Sequence, residues 1–352
     1  VEKIFKALLL AALVSLAVAC QPVTPTAPPS RAALLFTPTP TAQPSRAAPV
    51  LTPTPPAAER ARRALDSQIN TLAFSPDGQT LAAAGQTRLA LGDALTLQEV
   101  WSVDVRQPVN SLAFSPDGRW LAVAADSKII TLRRTADGEP FQALGGLPDV
   151  AGSVAFSPDG SLLAAGSLRR VLLWDTATWK PLANLAGHNN IVWGLAFSAD
   201  GRLLASTSTD QTVAMWDVPA VLQAQESTPA PLRILRGSTY WVRSAAFSPS
   251  GSLIAAASGD GSVYVWQVAS GQRLRTLRGH TGFVWSVAFA VDGKTLASAS
   301  EDGTLRVWDV STGAQRTLLA LGVPLRTAAF APTQPHLAVG LGDGNVVLLD
   351  LP

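Results

Sequence analysis

The chain has 352 residues, 47% of them hydrophobic and only 15% charged, a composition that excludes global disorder, which needs low hydrophobicity and high net charge. Lys+Arg 27 against Asp+Glu 25 leaves +2, which excludes a nucleic-acid binder held by overall charge. One cysteine, Cys20, excludes an intrachain disulfide and a cysteine-based zinc site, and three histidines nearly exclude His-rich metal chemistry, so no metal and no cofactor is expected.

At the amino terminus, Lys3 and Lys6 precede a predominantly apolar run from Ala7 to Ala19, with Cys20 directly after it. A basic start, a short apolar stretch and small residues at its end mark a secretory signal. The run is 13 residues, too short for a hydrocarbon core that needs about 20. Its end, Leu16-Ala17-Val18-Ala19-Cys20, resembles a bacterial lipoprotein signal with its lipobox, although Ala17 stands where leucine is usual. The resemblance implies removal of residues 1–19, lipid on Cys20, and a chain tethered to a membrane in the cell envelope, outside the cytoplasm.

Residues 20–58 then shift in composition. TPTP (Thr37 to Pro40) and LTPTPP (Leu51 to Pro56) lie in a run dominated by proline, threonine and alanine. Proline fixes φ and has no N–H to donate, which forbids helix and central strand. A disordered linker of polyproline II character is expected, a spacer between membrane and folded body.

From Glu59 to Pro352 one motif recurs. A phenylalanine ladder runs Phe74, Phe114, Phe156, Phe197, Phe247, Phe289 and Phe330. Each Phe sits in a segment such as LAFSPDG (Leu72 to Gly78), with variants LAFSADG from Leu195 and VAFAVDG from Val287. The preceding residue is always alanine, from Ala73 to Ala329. Three before the Phe the residue is small, as in Thr71, Ser111 and Gly194. Five before it is apolar, as in Ile69, Val109 and Leu325. A period near 40 to 45 residues is that of a propeller blade of four short strands. Slim side chains suit inner strands, where neighbouring sheets converge, and apolar residues on both faces suit a sheet sandwiched between two others. These segments, with the pairs Trp174-Asp175, Trp216-Asp217 and Trp308-Asp309, resemble the WD40 repeat family. The expected fold is all-β, a seven-bladed WD40-type β-propeller over residues 59–352, monomeric.

Within each repeat the S-P-D-G string reads as a turn, with proline presetting φ and Asp able to bond its own backbone. In the sixth repeat a second strand from Leu296 to Ser300, a turn at Glu301-Asp302-Gly303 and a third strand from Thr304 to Val310 follow. The WD40 resemblance implies a buried tetrad of His, Ser or Thr, Asp and Trp. Two repeats can make it: His188, Asp210, Trp216 with Ser206 or Ser208, and His280, Asp302, Trp308 with Ser298 or Ser300. Elsewhere it is partial, as at Trp266, which lacks a preceding Gly-His, so those repeats are expected to be less stable or to rely on plain packing. The last repeat lacks a fourth strand, and Glu59 to Leu65 is the only candidate to supply it. An insertion, Pro219 to Pro231, is expected to project from the face opposite the Gly-His loops.

For function, enzyme chemistry lacks a constellation. His188 and His280 belong to the tetrads, which leaves His336 without a motif-borne serine and aspartate. Recognition has better material. Four residues before each Phe runs a variable column: Asn70, Asn110, Gly152, Trp193, Arg243, Trp285, Arg326. In WD40 relatives this column lies around the channel mouth. Its bulky members and their neighbours Tyr240, Trp241 and Phe283 are the residue types of binding hot spots. Trp193 and Trp285 could equally plug the channel. The expected function is a non-catalytic, membrane-tethered interaction scaffold that binds a protein or peptide through Trp193, Tyr240, Trp241, Arg243, Phe283, Trp285 and Arg326. A propeller hydrolase or lyase and a solute- or glycan-binding lipoprotein are the alternatives.

Overall fold

The computed structural model describes residues 58–65, 68–224 and 228–350. The expected signal, Cys20 and the expected linker up to residue 57 lie outside them. Strand β1 (Ala58–Ala64) is followed by β2 (Ile69–Phe74), β3 (Thr80–Gly85), β4 (Arg88–Asp93) and β5 (Glu99–Asp104). The second repeat gives β6 (Val109–Phe114), β7 (Trp120–Ala125), β8 (Ile130–Arg134) and β9 (Pro140–Leu144). Then come β10 (Ser153–Phe156), a long β11 (Leu162–Asp175), a longer β12 (Pro181–Phe197), β13 (Leu203–Ser208), β14 (Val213–Asp217), helix α1 (Val218–Gln223) and β15 (Arg233–Leu235). The fifth repeat is β16 (Val242–Phe247), β17 (Leu253–Ser258), β18 (Ser262–Gln267) and β19 (Arg273–Arg278). The sixth is β20 (Val284–Phe289), β21 (Thr295–Ser300), β22 (Thr304–Asp309) and β23 (Gln315–Ala320). Strands β24 (Leu325–Phe330), β25 (His336–Leu341) and β26 (Asn345–Asp350) end the described chain.

These strands make an all-β propeller of antiparallel sheets, and the hydrogen-bonded sheets number six, not the seven separate ones expected. Five are four-stranded, and one is six-stranded, in the order β10-β11-β12-β13-β14-β15. The cause is local. In other repeats a turn separates the second and third strands, whereas here Leu168 pairs with Ile191 and Arg170 with Ala186, so the pairing continues across a register irregularity between Leu168 and Arg170. An extended strand of about 14 residues would hold its ends roughly 45 Å apart. Yet the Thr176 N–H, just past β11, donates to the Ser161 carbonyl, just before it, at 3.0 Å. Strand β11 therefore doubles back, and Arg169, at φ +61°, takes the left-handed conformation that lets it do so.

Packing follows the repeats, whatever the sheet membership. The apolar clusters each join one repeat to the next, as where Leu132 and Leu147 meet Leu163 and Trp174. One of them joins β2 and β3 to Ala338, Val346 and Leu348 of the last sheet. The alternation of a pleated strand puts neighbouring residues on opposite faces. So Phe74 packs into the cluster shared with the last repeat and Ala73 into the one shared with the second. The first strands touch in a closed cycle, β2 with β6, onward through β10, β12, β16, β20 and β24, and back to β2. The apolar column five before each Phe is fully buried throughout, Ile69 at 0% and Val284 at 1%.

The S-P-D-G turns form as their residues dictate. Ser75 Oγ donates to Asp77 Oδ1 at 2.6 Å, Asp77 accepts from the Gln79 N–H, and the Gly78 N–H closes onto the Ser75 carbonyl. Strand β1 pairs with β26 from Ala58↔Asp350 to Ala64↔Asn345 and is the fourth strand of the last sheet. Its charge is put to use, since Arg63 donates to the Leu97 carbonyl and to Glu99 of the first repeat. The insertion opens as α1, capped by Asp217, whose carboxylate accepts from the Ala220 N–H, with Val218 and Val221 buried against the cluster between the third and fourth repeats. No helix among the described residues is long and apolar enough to cross a membrane.

Candidate interaction face

Two polar networks fix the loops that carry the face. His280 lies in the link between β19 and β20, Asp302 in the turn after β21, and Ser298 and Trp308 on β21 and β22. His280 Nδ1 lies 3.0 Å from Asp302 Oδ2, its Nε2 2.7 Å from Ser298 Oγ, and Trp308 Nε1 donates to that same Oγ at 2.9 Å. A carboxylate only accepts, so Nδ1 carries the proton. Nε2 then accepts from the Ser298 hydroxyl, whose oxygen accepts from the indole. Burial pushes His280 below its ordinary value, against the pull of Asp302, and keeps the imidazole neutral. Burial works to raise Asp302, but hydrogen bonds from Thr304, the Thr281 N–H and His280 outweigh it and hold the carboxyl at about 2. The fourth repeat repeats the network: His188 Nδ1 to Asp210 at 2.9 Å, Nε2 to Ser206 at 2.8 Å, and Trp216 Nε1 to Ser206 at 2.9 Å. Of each serine pair left open by the sequence, Ser206 and Ser298 are the members in the network.

The fifth repeat solves the same problem with other residues, which the sequence reading missed. Ser238 stands where His would be and Ala256 where Ser would be. Tyr264, opposite Ala256 on the next strand, donates its hydroxyl to Asp260 at 2.8 Å. Elsewhere apolar side chains fill the histidine position, among them Leu65 and Leu147, at 5% and 4% exposure. Plain packing replaces the network there. The signal was available, since each lies nine residues before its Phe.

The expected aromatic and arginine residues form two groups near the starts of the first strands of their repeats. Tyr240 stacks between Trp241 and Phe283, with ring centroids 5.3 Å apart on both sides, and Phe283 meets Trp285 edge-on at 6.0 Å. Arg326 lies over the Trp285 ring at 4.4 Å and Arg243 over Trp193 at 4.8 Å. Gly259 makes room for Tyr240: a Cβ there would come within 2.5 Å of the ring. The column also stitches repeats together. Asn70 Nδ2 donates to the Val109 carbonyl, Asn110 Nδ2 to the Ala151 carbonyl, and Arg243 Nη1 to the Trp193 carbonyl at 2.7 Å. At the third repeat the Val192 carbonyl comes so close that a Cβ on residue 152 would sit 2.2 Å from it, and only glycine fits. Burial, with the Arg326 charge adding to it, brings Arg243 down to about 10, so its guanidinium stays charged at neutral pH. Trp193 is tied by Nε1 to Thr209 Oγ1 at 2.9 Å, whereas Trp285 Nε1 is buried without a partner. Trp193 and Trp285 thus each carry an arginine over the ring.

Tyr240 is the most open of these, at 39% exposure, while Trp241, Phe283, Trp285 and Arg326 are half-buried. A second aromatic group, unforeseen in the sequence, lies at the other end of the strands: Trp120 stacks on Phe141 at 4.2 Å, and Trp179 meets Phe141 edge-on. His336 is buried on β25, with Nδ1 2.6 Å from Asp350 on β26, at the far end of the sheet from Arg326. Among the described residues no three His, Cys, Asp or Glu side chains are grouped to hold a metal ion.

Segments 62–89, 98–131, 148–175, 179–217, 229–267 and 271–309 match the repeat described as WD domain, G-beta repeat. Together they take in more than half of the chain and stop short of the last repeat. Among curated proteins none matches the chain.

Proposed function

The chain belongs to the WD40 family, and from that premise we propose that it is a non-catalytic scaffold that binds a protein or peptide at the channel mouth. WD40 propellers are in general platforms for protein interaction. The observation that carries the reading here is the contiguous cluster of Tyr240, Trp241, Phe283 and Trp285 flanked by Arg243 and Arg326. Rigid aromatic surface with arginine beside it is what a binding hot spot needs. Two histidines are held inside structural networks and the third faces Asp350 away from this cluster, which leaves the mouth without an imidazole base. On this reading the six-stranded sheet works as two wedges, giving seven packing units. The fold-back of β11 and the apolar clusters between successive repeats support that count. The scaffold is tethered in the cell envelope by lipid on Cys20, a reading supported by Lys3, Lys6 and the apolar run before the cysteine.

Capture from detergent-solubilised envelopes tests the scaffold. Wild type retains a partner identifiable by mass spectrometry, and Trp241→Ala with Arg243→Ala loses it while the thermal midpoint stays within a few degrees. Equal capture by both removes the cluster from the function. Labelled fatty acid should be incorporated by wild type and not by Cys20→Ala, and incorporation by the variant refutes lipidation at that site.

A further inference from the structure

Two cations, Arg243 and Arg326, have no ion-pair partner among the described residues. Arg243 uses one N–H, on the Trp193 carbonyl. Arg326 meets the face of Trp285 and makes no hydrogen bond among the described residues, and its Nε is buried without a partner. Neither guanidinium forms an ion pair with another described residue. The acidic group that bears on Arg326, Glu301, is exposed and outside ion-pair distance. Trp285 Nε1 is a second buried donor with no acceptor, beside Arg326 Nε. Native structures satisfy buried donors, so a cluster of idle ones points to an acceptor that arrives from outside. Two half-buried like charges, each over an indole ring, are otherwise a cost without a return. An arginine over an aromatic ring can still use its remaining N–H groups, and a planar fork of N–H groups suits a carboxylate, which it can bind through two parallel hydrogen bonds.

We infer that the mouth is a carboxylate receptor: Arg243 and Arg326 take an Asp or Glu side chain of a peptide whose neighbouring apolar residues lie on Tyr240, Trp241 and Phe283. The inference rests on the scaffold reading and adds the chemistry of the partner. Phosphate offers the same kind of oxygen acceptors, and phosphoserine is the rival ligand that the test below separates. The aromatic ladder alongside favours a peptide over a free ion, since it provides contact for flanking side chains.

An array of octapeptides tests this, with Glu, Gln, phosphoserine or Lys at a fixed central position and aromatic or aliphatic residues varied around it, probed with the full chain. Peptides with Glu should bind at least tenfold more tightly than their Gln counterparts by fluorescence anisotropy, and raising the salt should narrow the gap. Arg326→Gln and Arg243→Gln should each erase that preference. The Glu-to-Gln ratio is measured on wild type, so a variant that failed to fold would leave the test intact. Binding that depends on Tyr240 and Trp241 but ignores the central residue would overturn the carboxylate receptor and leave the scaffold standing. A tenfold preference for phosphoserine over Glu would also overturn it. No binding by any peptide, together with partner capture indifferent to Trp241→Ala, would take down both.

Discussion

Ser298→Ala is a direct test of the buried network in the sixth repeat. The hydroxyl is fully buried, accepts from Trp308 Nε1 at 2.9 Å and faces His280 Nε2 at 2.7 Å. Removing one oxygen leaves an indole N–H and an imidazole nitrogen unpaired where water does not reach. An orphaned buried polar group costs about 1–3 kcal/mol. Sterics add little, because the fifth repeat already holds Ala256 at the corresponding place. The expected loss is therefore about 3 kcal/mol, from two orphans near the low end of that range. At roughly 2 °C per kcal/mol for a domain of this size, the thermal midpoint should fall by about 6 °C. Ser300→Ala is the control, since that hydroxyl accepts only the Asp302 N–H, at 3.1 Å, and should cost about 1 kcal/mol. Calorimetry at neutral pH reads both. A Ser298→Ala midpoint within 2 °C of wild type, or above that of Ser300→Ala, would refute the network as a source of stability.

Acid should destabilise the protein in two stages. His280 is depressed by burial, so its contribution is whole above about 6.5, the unfolded value, and falls away as pH drops below it. Asp302, held at about 2, contributes fully above about 3.9 and loses that contribution as pH falls toward its folded value. Midpoints measured from pH 7 to 3 should decline throughout, and Asp302→Asn should flatten the lower stage. Tyr264→Phe removes the donor to Asp260 and should cost about 1–2 kcal/mol in chemical denaturation, whereas no change would mean Asp260 is satisfied without it. Gly152→Ala drives a methyl into the Val192 carbonyl and should lower the midpoint through overpacking of about 1–3 kcal/mol or more, with unchanged stability marking the contact as soft.

The columns around the phenylalanines gave away most of this fold because they encode packing. A residue such as Ile69 or Val284 must be apolar wherever two repeats converge, and every repeat repeats the demand. Sheet membership is a different matter. It turns on whether Leu168 reaches Ile191, and on an arginine in the left-handed region at 169, neither of which has a periodic signature. The two networks were readable from Gly-His and Trp-Asp, but the choice between Ser206 and Ser208, or Ser298 and Ser300, depends on which face of the strand each occupies. Tyr264 escaped notice because it sits on the third strand of its repeat, whereas the histidine it replaces belongs to the link before the first strand. The stack of Trp120 on Phe141 escaped because its members lie 21 residues apart on strands β7 and β9, which do not pair with each other.

Donation of β1 to the last sheet bears on how the molecule is made. Ala58 pairs with Asp350, 292 positions further along the chain. At a synthesis rate of about 5–20 residues per second, roughly 15–60 s separate the emergence of the two partners. Through that interval the apolar flank of β2 and the unpaired rim of β1 await a neighbour that has not been translated. Contacts so distant in the chain slow folding and expose sticky edges. The arginines of β1 fit that wait, for they keep a strand soluble that is first to appear and last to find its place.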